Sequence, residues 1–256
     1  MNFFVEGLQG SGKSTLAGKL AEKTGCTAVR EGEYSPVELA WCAYVSEAQY
    51  REILSRYPDL SEEISARSYP EDGKVIICYT KVKTDSRDFY ADLEQYEIYN
   101  GRTSPDEFRS IILDRYSKWD TDDNVFECSL LQNTVEDMIL YRCASDDDIL
   151  GFYRLVREAL EGKDYRIIYL RTDDIEGNLS VIRRERTDAE GNEAWFPLMM
   201  EFFDGSPYAK SLGIHGQEAL LDHFSHRQEL ELRILEELFA DRSLILPSKL
   251  YLDSDY

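Results

Sequence analysis

Short apolar runs alternate with longer stretches of mixed polarity along this chain. Asn2–Glu6 (NFFVE), Thr27–Arg30, Asn124–Glu127 (NVFE), Tyr165–Leu170 (YRIIYL) and Ser243–Leu246 (SLIL) are brief and apolar, with Tyr165–Leu170 the clearest after the first. This is the pattern of strands buried on both faces. Between them, Lys13–Lys23 reads as a helix with Leu16 and Leu20 on one face. Pro36 is expected to open an apolar helix, PVELAWCAYV, because proline suits a first helical turn. Further helices are predicted over Ser46–Tyr57 with Ser46 as N-cap, Ser61–Arg67, Pro105 to about Trp119 with Ser104 as cap ahead of the proline, Asn133–Arg142, Asp146–Glu161, Ile175–Arg186 and Gln217–Ala240. Lys74–Val82 suits strand and helix alike, and the tyrosine- and acid-rich stretch up to Asn100-Gly101 has no period. No hairpin signal of the Asn-Gly type is read between two strands. The alternation therefore predicts parallel strands with helical crossovers. The expectation is a single α/β domain over residues 1–256, with helical insertions at about 36–120 and no repeat or linker.

Charge narrows the partners. Acids outnumber bases 50 to 29, for a formal charge of −21. Such a surface repels a phosphodiester backbone, so a nucleic-acid polymer is not an expected partner. A small anion needs only a local pocket of N–H groups and a few cations. No apolar run reaches the ~20 residues of a membrane span, and the first residues run straight into a strand, so a cytoplasmic protein with reduced thiols is expected. The acidic helical surface leaves room for a homodimer. His223 and His226 sit in a charged helix without a clustered ligand set and read as structural.

One motif carries chemistry. Gly7-Leu8-Gln9-Gly10-Ser11-Gly12-Lys13-Ser14 fits GxxxxGK[ST] between a predicted strand and a predicted helix, the context its mechanism needs. Glycines let successive N–H groups converge on phosphate oxygens, and the helix N-terminus adds partial positive charge. Gly7, Gln9, Gly10, Ser11, Gly12, Lys13, Ser14 and Thr15 are the candidate nucleotide-binding residues. Lys13 is expected on the β- and γ-phosphates of ATP, and the Ser14 hydroxyl on Mg2+.

The segment Val5-Glu6-Gly7 to Thr15 resembles the opening of the deoxynucleoside kinases and thymidylate kinases. Glu31-Gly32-Glu33-Tyr34-Ser35-Pro36-Val37, ending at Trp41, resembles that group's Glu-Pro-Val…Trp segment, whose glutamate is the catalytic base. Two extra residues before Pro-Val leave both Glu31 and Glu33 as candidates. Val125-Phe126-Glu127-Cys128-Ser129 resembles the Glu-Arg-Ser segment, which implies that Glu127 lies by the Mg2+–phosphate centre. Cys128 stands where the group has an arginine that helps hold the acceptor. Ile167–Thr172, followed by a helix ending Arg183-Arg184-Glu185-Arg186, is similar to the group's strand and arginine-bearing lid, here about 183–216. Arg183 and Arg186 would share a helix face and reach the transferring phosphate. The loop after the last strand would border the adenine.

The resemblance implies a three-layer α/β/α P-loop NTPase fold with a mainly parallel five-stranded sheet. It implies an ATP- and Mg2+-dependent kinase transferring the γ-phosphate to a hydroxyl or phosphate of a small-molecule acceptor. Lys13, Glu31, Glu33, Glu127, Arg183 and Arg186 are its candidate catalytic residues, and Ser14 and Glu127 its metal-site residues. The alternative is an ATP-binding regulatory P-loop protein with no small acceptor. The 74–102 and 195–216 segments match nothing in the group. Tyr96–Arg102 suits a pocket loop, and Trp195-Phe196 and Phe202-Phe203 suit packing at the base of the lid.

Overall fold

The computed structural model describes residues 1–188 and 190–248. In chain order it contains β1 (Asn2–Gly7), α1 (Lys13–Thr24), β2 (Thr27–Val29), β3 (Ala43–Ser46), α2 (Glu47–Arg56), α3 (Ser61–Ala66), β4 (Ser68–Glu71), β5 (Lys74–Ile77), α4 (Arg87–Glu94) and α5 (Pro105–Lys118). There follow β6 (Asn124–Glu127), α6 (Gln132–Leu140), α7 (Asp146–Ala159), β7 (Tyr165–Arg171), α8 (Ile175–Glu185), α9 (Trp195–Gly205), α10 (Pro207–Leu212), α11 (Gly216–Leu238) and β8 (Ser243–Pro247). The residues divide into two compact units, Met1–Ala28 with the chain from Asp122 onward, and Val29–Thr121.

The first unit is built on a five-stranded sheet of order β2-β6-β1-β7-β8. β1 runs parallel to β6 and β7, and β7 parallel to β8. Side chains alternate across β1. Val5 joins Ala17 and Ala21 of α1 and Val125 of β6 in one apolar cluster. Phe4 and Glu6 point to the other face. There Phe4 stacks on Phe126 at 5.2 Å and meets Tyr165 edge-on at 5.8 Å. On β7, beside Glu6 in register, Tyr169 donates to Glu231 of α11 at 2.6 Å. So α1 covers one face and α11 the other, giving the three-layer α/β/α arrangement with a parallel sheet.

The second unit departs from the expected helical insertions. It holds a three-stranded antiparallel sheet, β3-β5-β4, over a core that includes Val45, Ile53, Ile64, Val75, Ile77, Phe89 and Leu93. The apolar helix expected from Pro36 is absent. The Ser35 hydroxyl accepts the Val37 and Glu38 N–H groups, and the Glu38 carboxylate accepts those of Leu39 and Ala40. Local side-chain bonds thus take the donors that a helix would use, and after Trp41 at φ 62° the chain enters β3. The ambiguous 74–82 stretch is β5 followed by a 3-10 turn at Tyr79–Lys81. β4 and β5 form a hairpin across Asp72 (φ 50°) and Gly73 (φ 77°), a two-residue turn with both residues left-handed. Asp72-Gly73 is as strong a hairpin signal as Asn-Gly, and it overturns the expectation that no such signal joins two strands. Antiparallel pairing also brings Cys42 and Cys78 to 3.7 Å between sulfurs.

Ser46 caps α2 in a complete capping box with Gln49, and Ser104 caps α5 ahead of Pro105, both as predicted. Among the described residues no helix is long and apolar enough to cross a membrane.

A Cβ at Gly73 would meet nothing within 4 Å, so its backbone angle alone constrains the residue. Gly73→Ala is expected to lower unfolding free energy by about 1–2 kcal/mol, the cost of a left-handed L-residue. Urea unfolding checks this, and an unchanged midpoint would contradict the turn geometry.

Candidate functional site

The glycine loop leaves the C-terminal end of β1 in the middle of the sheet and feeds α1. Gly12 is the N-cap of that helix and supplies no side-chain cap, and the first turn holds no acid. The helix's first N–H groups are thus left to an external acceptor, and its dipole favours an anion. Ser11 is fully buried, and its hydroxyl has no hydrogen-bond partner among the described residues. Lys13 is buried and folds back over the loop, donating to the Leu8 carbonyl at 2.6 Å. Exposed Ser14 donates its hydroxyl proton to the Glu127 carboxylate at the end of β6. The donor set fits a polyphosphate, and the paired hydroxyl and carboxylate oxygens fit a hard divalent cation such as Mg2+.

α8 lies directly on this loop. Asn178 donates to the Gln9 carbonyl at 2.8 Å. A Cβ on Gly10 would sit 2.2 Å from the Ile182 side chain, so only glycine permits this approach. The two candidate lid arginines occupy the end of that helix. Arg183 grips Glu193 through two nitrogens at 2.8 and 3.0 Å, reaches Gln217 at 3.1 Å and lies 4.1 Å over the Phe196 ring. Arg186 lies 5.4 Å over Trp195. Thr187 and Glu193 bridge the turn that follows α8, in which Asp188 accepts from Asn192. Of the expected lid, Ala189 falls outside the described residues, as does the stretch after Ser248 expected to border adenine.

Glu6 is fully buried on the face opposite α1. Its carboxylate accepts the Leu130 N–H at 2.7 Å and the Gln132 N–H at 3.2 Å. It serves α6 as an N-terminal cap, which that helix's own Leu131 cannot provide. Burial pushes its pKa up to about 8, against the pull of those N–H groups. Cys128 turns at φ 58° to begin this loop, and its carbonyl accepts from Asn133 at 3.1 Å.

Beside the loop lies a charged cluster that was not singled out in the sequence. Arg227 of α11 is fully buried. It bonds the Glu136 carboxylate of α6, reaches the Gln9 side-chain oxygen at 2.6 Å, and stands 3.4 Å from Glu231. His223 adds a 3.2 Å contact to Glu136. Burial alone would raise the Glu136 pKa, but Arg227 and His223 outweigh it and hold the group at about 2. Burial raises the Glu231 pKa, while Arg227, the Tyr169 hydroxyl and Lys13 favour its charged form. A signal was present. Leu220, Phe224, Ile234 and Leu235 mark the buried face of α11, and His223, Arg227, Gln228 and Glu231 fall on the same face.

The remaining candidates lie in the second unit. Glu33 closes its own turn, accepting from the Arg30 N–H at 3.0 Å, and both Glu31 and Glu33 are half-buried. Glu38, unremarked in the sequence, is the more enclosed carboxylate and accepts the Tyr99 hydroxyl at 2.6 Å. Arg115 holds the Ser35 carbonyl and Glu71, and Tyr34 stacks on Tyr69 at 4.4 Å. Within Tyr96–Arg102, Glu97 accepts from Tyr79 at 2.6 Å and pairs with Arg102 at 3.3 Å, and burial pushes its pKa to about 7.

No family model matches this chain, and no curated protein matches it. Among solved structures it is similar to a deoxyadenosine kinase from M. mycoides with bound dATP. That likeness is 14% identical, covers 99% of this chain and 94% of that one, and has a TM-score of 0.41. It is also similar to a gluconokinase from Sinorhizobium meliloti 1021, 14% identical over 99% of this chain and 85% of that one, with a TM-score of 0.35. At this level of similarity neither neighbour's activity transfers to this chain.

Because folding raises the Glu6 pKa from 4.5 to about 8, its contribution to stability is complete below the lower value and is lost as pH climbs through the higher. Glu6→Gln removes that titration. Its unfolding free energy is expected to fall less steeply than the wild type's between about pH 5 and 8, as urea unfolding across that range would show. Parallel profiles would mean that Glu6 ionises as in solvent.

Proposed function

We propose that this protein is an ATP-dependent phosphotransferase that moves the γ-phosphate to a hydroxyl or phosphate of a small molecule, in the manner of nucleoside and nucleotide kinases. The observation that carries this reading is the pairing of Ser14 with Glu127 at the mouth of an uncapped glycine loop. A carboxylate presented by a second strand at the metal-site hydroxyl suits a loop whose ligand is a metal-bound nucleoside triphosphate. α8 adds weight, since the helix that ends in Arg183 and Arg186 rests on Gln9 and Gly10 of the same loop.

Phosphoryl transfer asks a protein mainly to position groups and neutralise charge. Lys13 exchanges the Leu8 carbonyl for phosphate oxygens. Ser14 and Glu127 would hold Mg2+, which would supply charge neutralisation at the phosphates. Arg183 and Arg186 approach the transferring group from the lid. One of Glu31 and Glu33 accepts the proton of an acceptor hydroxyl. A carboxylate suffices there, because a loose transition state demands little early proton removal.

The test is a screen of nucleosides, nucleotides and polyhydroxylated amines for ATP consumption, with the product identified by mass. A product heavier by one phosphoryl group is expected. Lys13→Ala should lower turnover at least ~100-fold, as loss of a transition-state charge partner does. Of Glu31→Gln and Glu33→Gln, only the variant that removes the base should lose kcat. ATP binding with no phosphorylated product from any acceptor would favour a regulatory nucleotide-binding protein instead.

A further inference from the structure

The buried cluster on α11 has a geometry that core packing alone does not require. A lone guanidinium could be neutralised by one carboxylate. Arg227 has two, Glu136 and Glu231, and still directs one nitrogen 2.6 Å from the side-chain oxygen of Gln9 in the phosphate loop. The same residue's backbone carbonyl receives Asn178 of α8 at 2.8 Å. Gln9 is therefore held from two sides, by α11 through its side chain and by α8 through its backbone. A glycine-rich loop with two left-handed glycines, Gly10 and Gly12, has little intrinsic reason to keep its N–H groups convergent. An external clamp supplies one, and donors fixed before the ligand arrives avoid an ordering cost on binding.

We infer that Arg227 is a positioning residue that fixes the phosphate loop through Gln9 and thereby sets nucleotide affinity. This rests on the phosphotransferase reading only in taking the loop's ligand to be a nucleoside triphosphate. Arg227 itself need not touch that ligand. Its guanidinium is enclosed by Glu136, Glu231 and Gln9, with His223 against Glu136 and the Tyr169 hydroxyl on Glu231. Lys13, the loop's own cation, is among the charges that favour the ionised form of Glu231.

Gln9→Leu keeps the size of the side chain and removes the oxygen that Arg227 holds. Titration calorimetry with MgATP is expected to show affinity about ten-fold weaker than wild type, the scale of one charge-assisted hydrogen bond. Arg227→Met should weaken binding similarly, and the double variant no further than the weaker single. Where Arg227→Met does not fold, amide hydrogen exchange of Gly10–Ser14 in Gln9→Leu gives the same reading, and faster exchange than wild type is expected. A purely structural role would lower the melting temperature and leave affinity and loop exchange unchanged, overturning the inference. Additive losses in the double variant would also overturn it, since Gln9 would then act on the nucleotide without Arg227. If wild type binds MgATP and Gln9→Leu binds equally well, the inference alone fails. If wild type binds no nucleotide, the phosphotransferase reading falls and takes the inference with it.

Discussion

The first unit is organised around one buried guanidinium. Moving an unpaired charge out of water costs several kcal/mol even after relaxation, and only close, well-directed partners offset it. For Arg227 the directed partners are Glu136 of α6 and Gln9 of the glycine loop, while Glu231, one turn along α11, stands 3.4 Å from its Nε as a second counter-charge without a hydrogen bond. None of these contacts is strong evidence of net stabilisation, since an apolar core of equal volume could do as well. Their effect is mutual dependence. Removing Arg227 leaves two carboxylates buried without their cation, and a broken buried pair costs about 3–5 kcal/mol. Through that one side chain α6, α11 and the loop are tied together.

Glu6 does comparable work one residue before the loop. It lies on the same face of the sheet as Tyr169, and it spends both carboxylate oxygens on the backbone of the turn into α6. That turn begins directly after Glu127. One strand thus carries, in adjacent positions, the carboxyl that shapes the β6–α6 connection and the glycine that starts the phosphate loop. The short spacing between Glu6 and Gly7 couples the place where Glu127 ends up to the place where Ser14 ends up. Their side chains meet although 113 residues separate them in sequence.

This division between local and distant partners also explains what could be read in the sequence. The five strands of the parallel sheet were legible as short apolar runs, although only the inner β6, β1 and β7 are largely buried, and edge strand β8 leaves Leu244 and Ile245 exposed. The caps of α2 and α5 were legible because Ser46 and Ser104 act within three residues. The phosphate loop was legible for the same reason: its chemistry is contiguous. The Pro36 segment has a helix-like start in Pro-Val-Glu-Leu-Ala, but Ser35 and Glu38 occupy its N–H groups and β5 offers Ala43–Ser46 a strand partner. Propensity lost there to side-chain bonding and sheet pairing. Arg227 escaped notice for another reason. A charged residue in a charged helix looks solvated until its place on the apolar face is counted.

The cations proposed for chemistry rest on unequal partners, and this bears on how they could act. Lys13 donates to a neutral carbonyl within its own loop, Leu8 at 2.6 Å. Handing that ammonium to a phosphate exchanges a bond to a neutral acceptor for one between opposite charges, which is favourable. Arg183 is gripped by a carboxylate through two nitrogens and lies over an aromatic ring. Its transfer to a phosphate trades one bidentate ion pair for another and forfeits the ring contact as well. Only a group of higher charge than Glu193, presented near the end of α8, makes that exchange favourable. On the phosphotransferase reading, Lys13 would respond to any polyphosphate in the loop. Arg183 would respond only to one whose terminal group reaches it, and on that reading the triphosphate would be selected by the arginine rather than by the lysine.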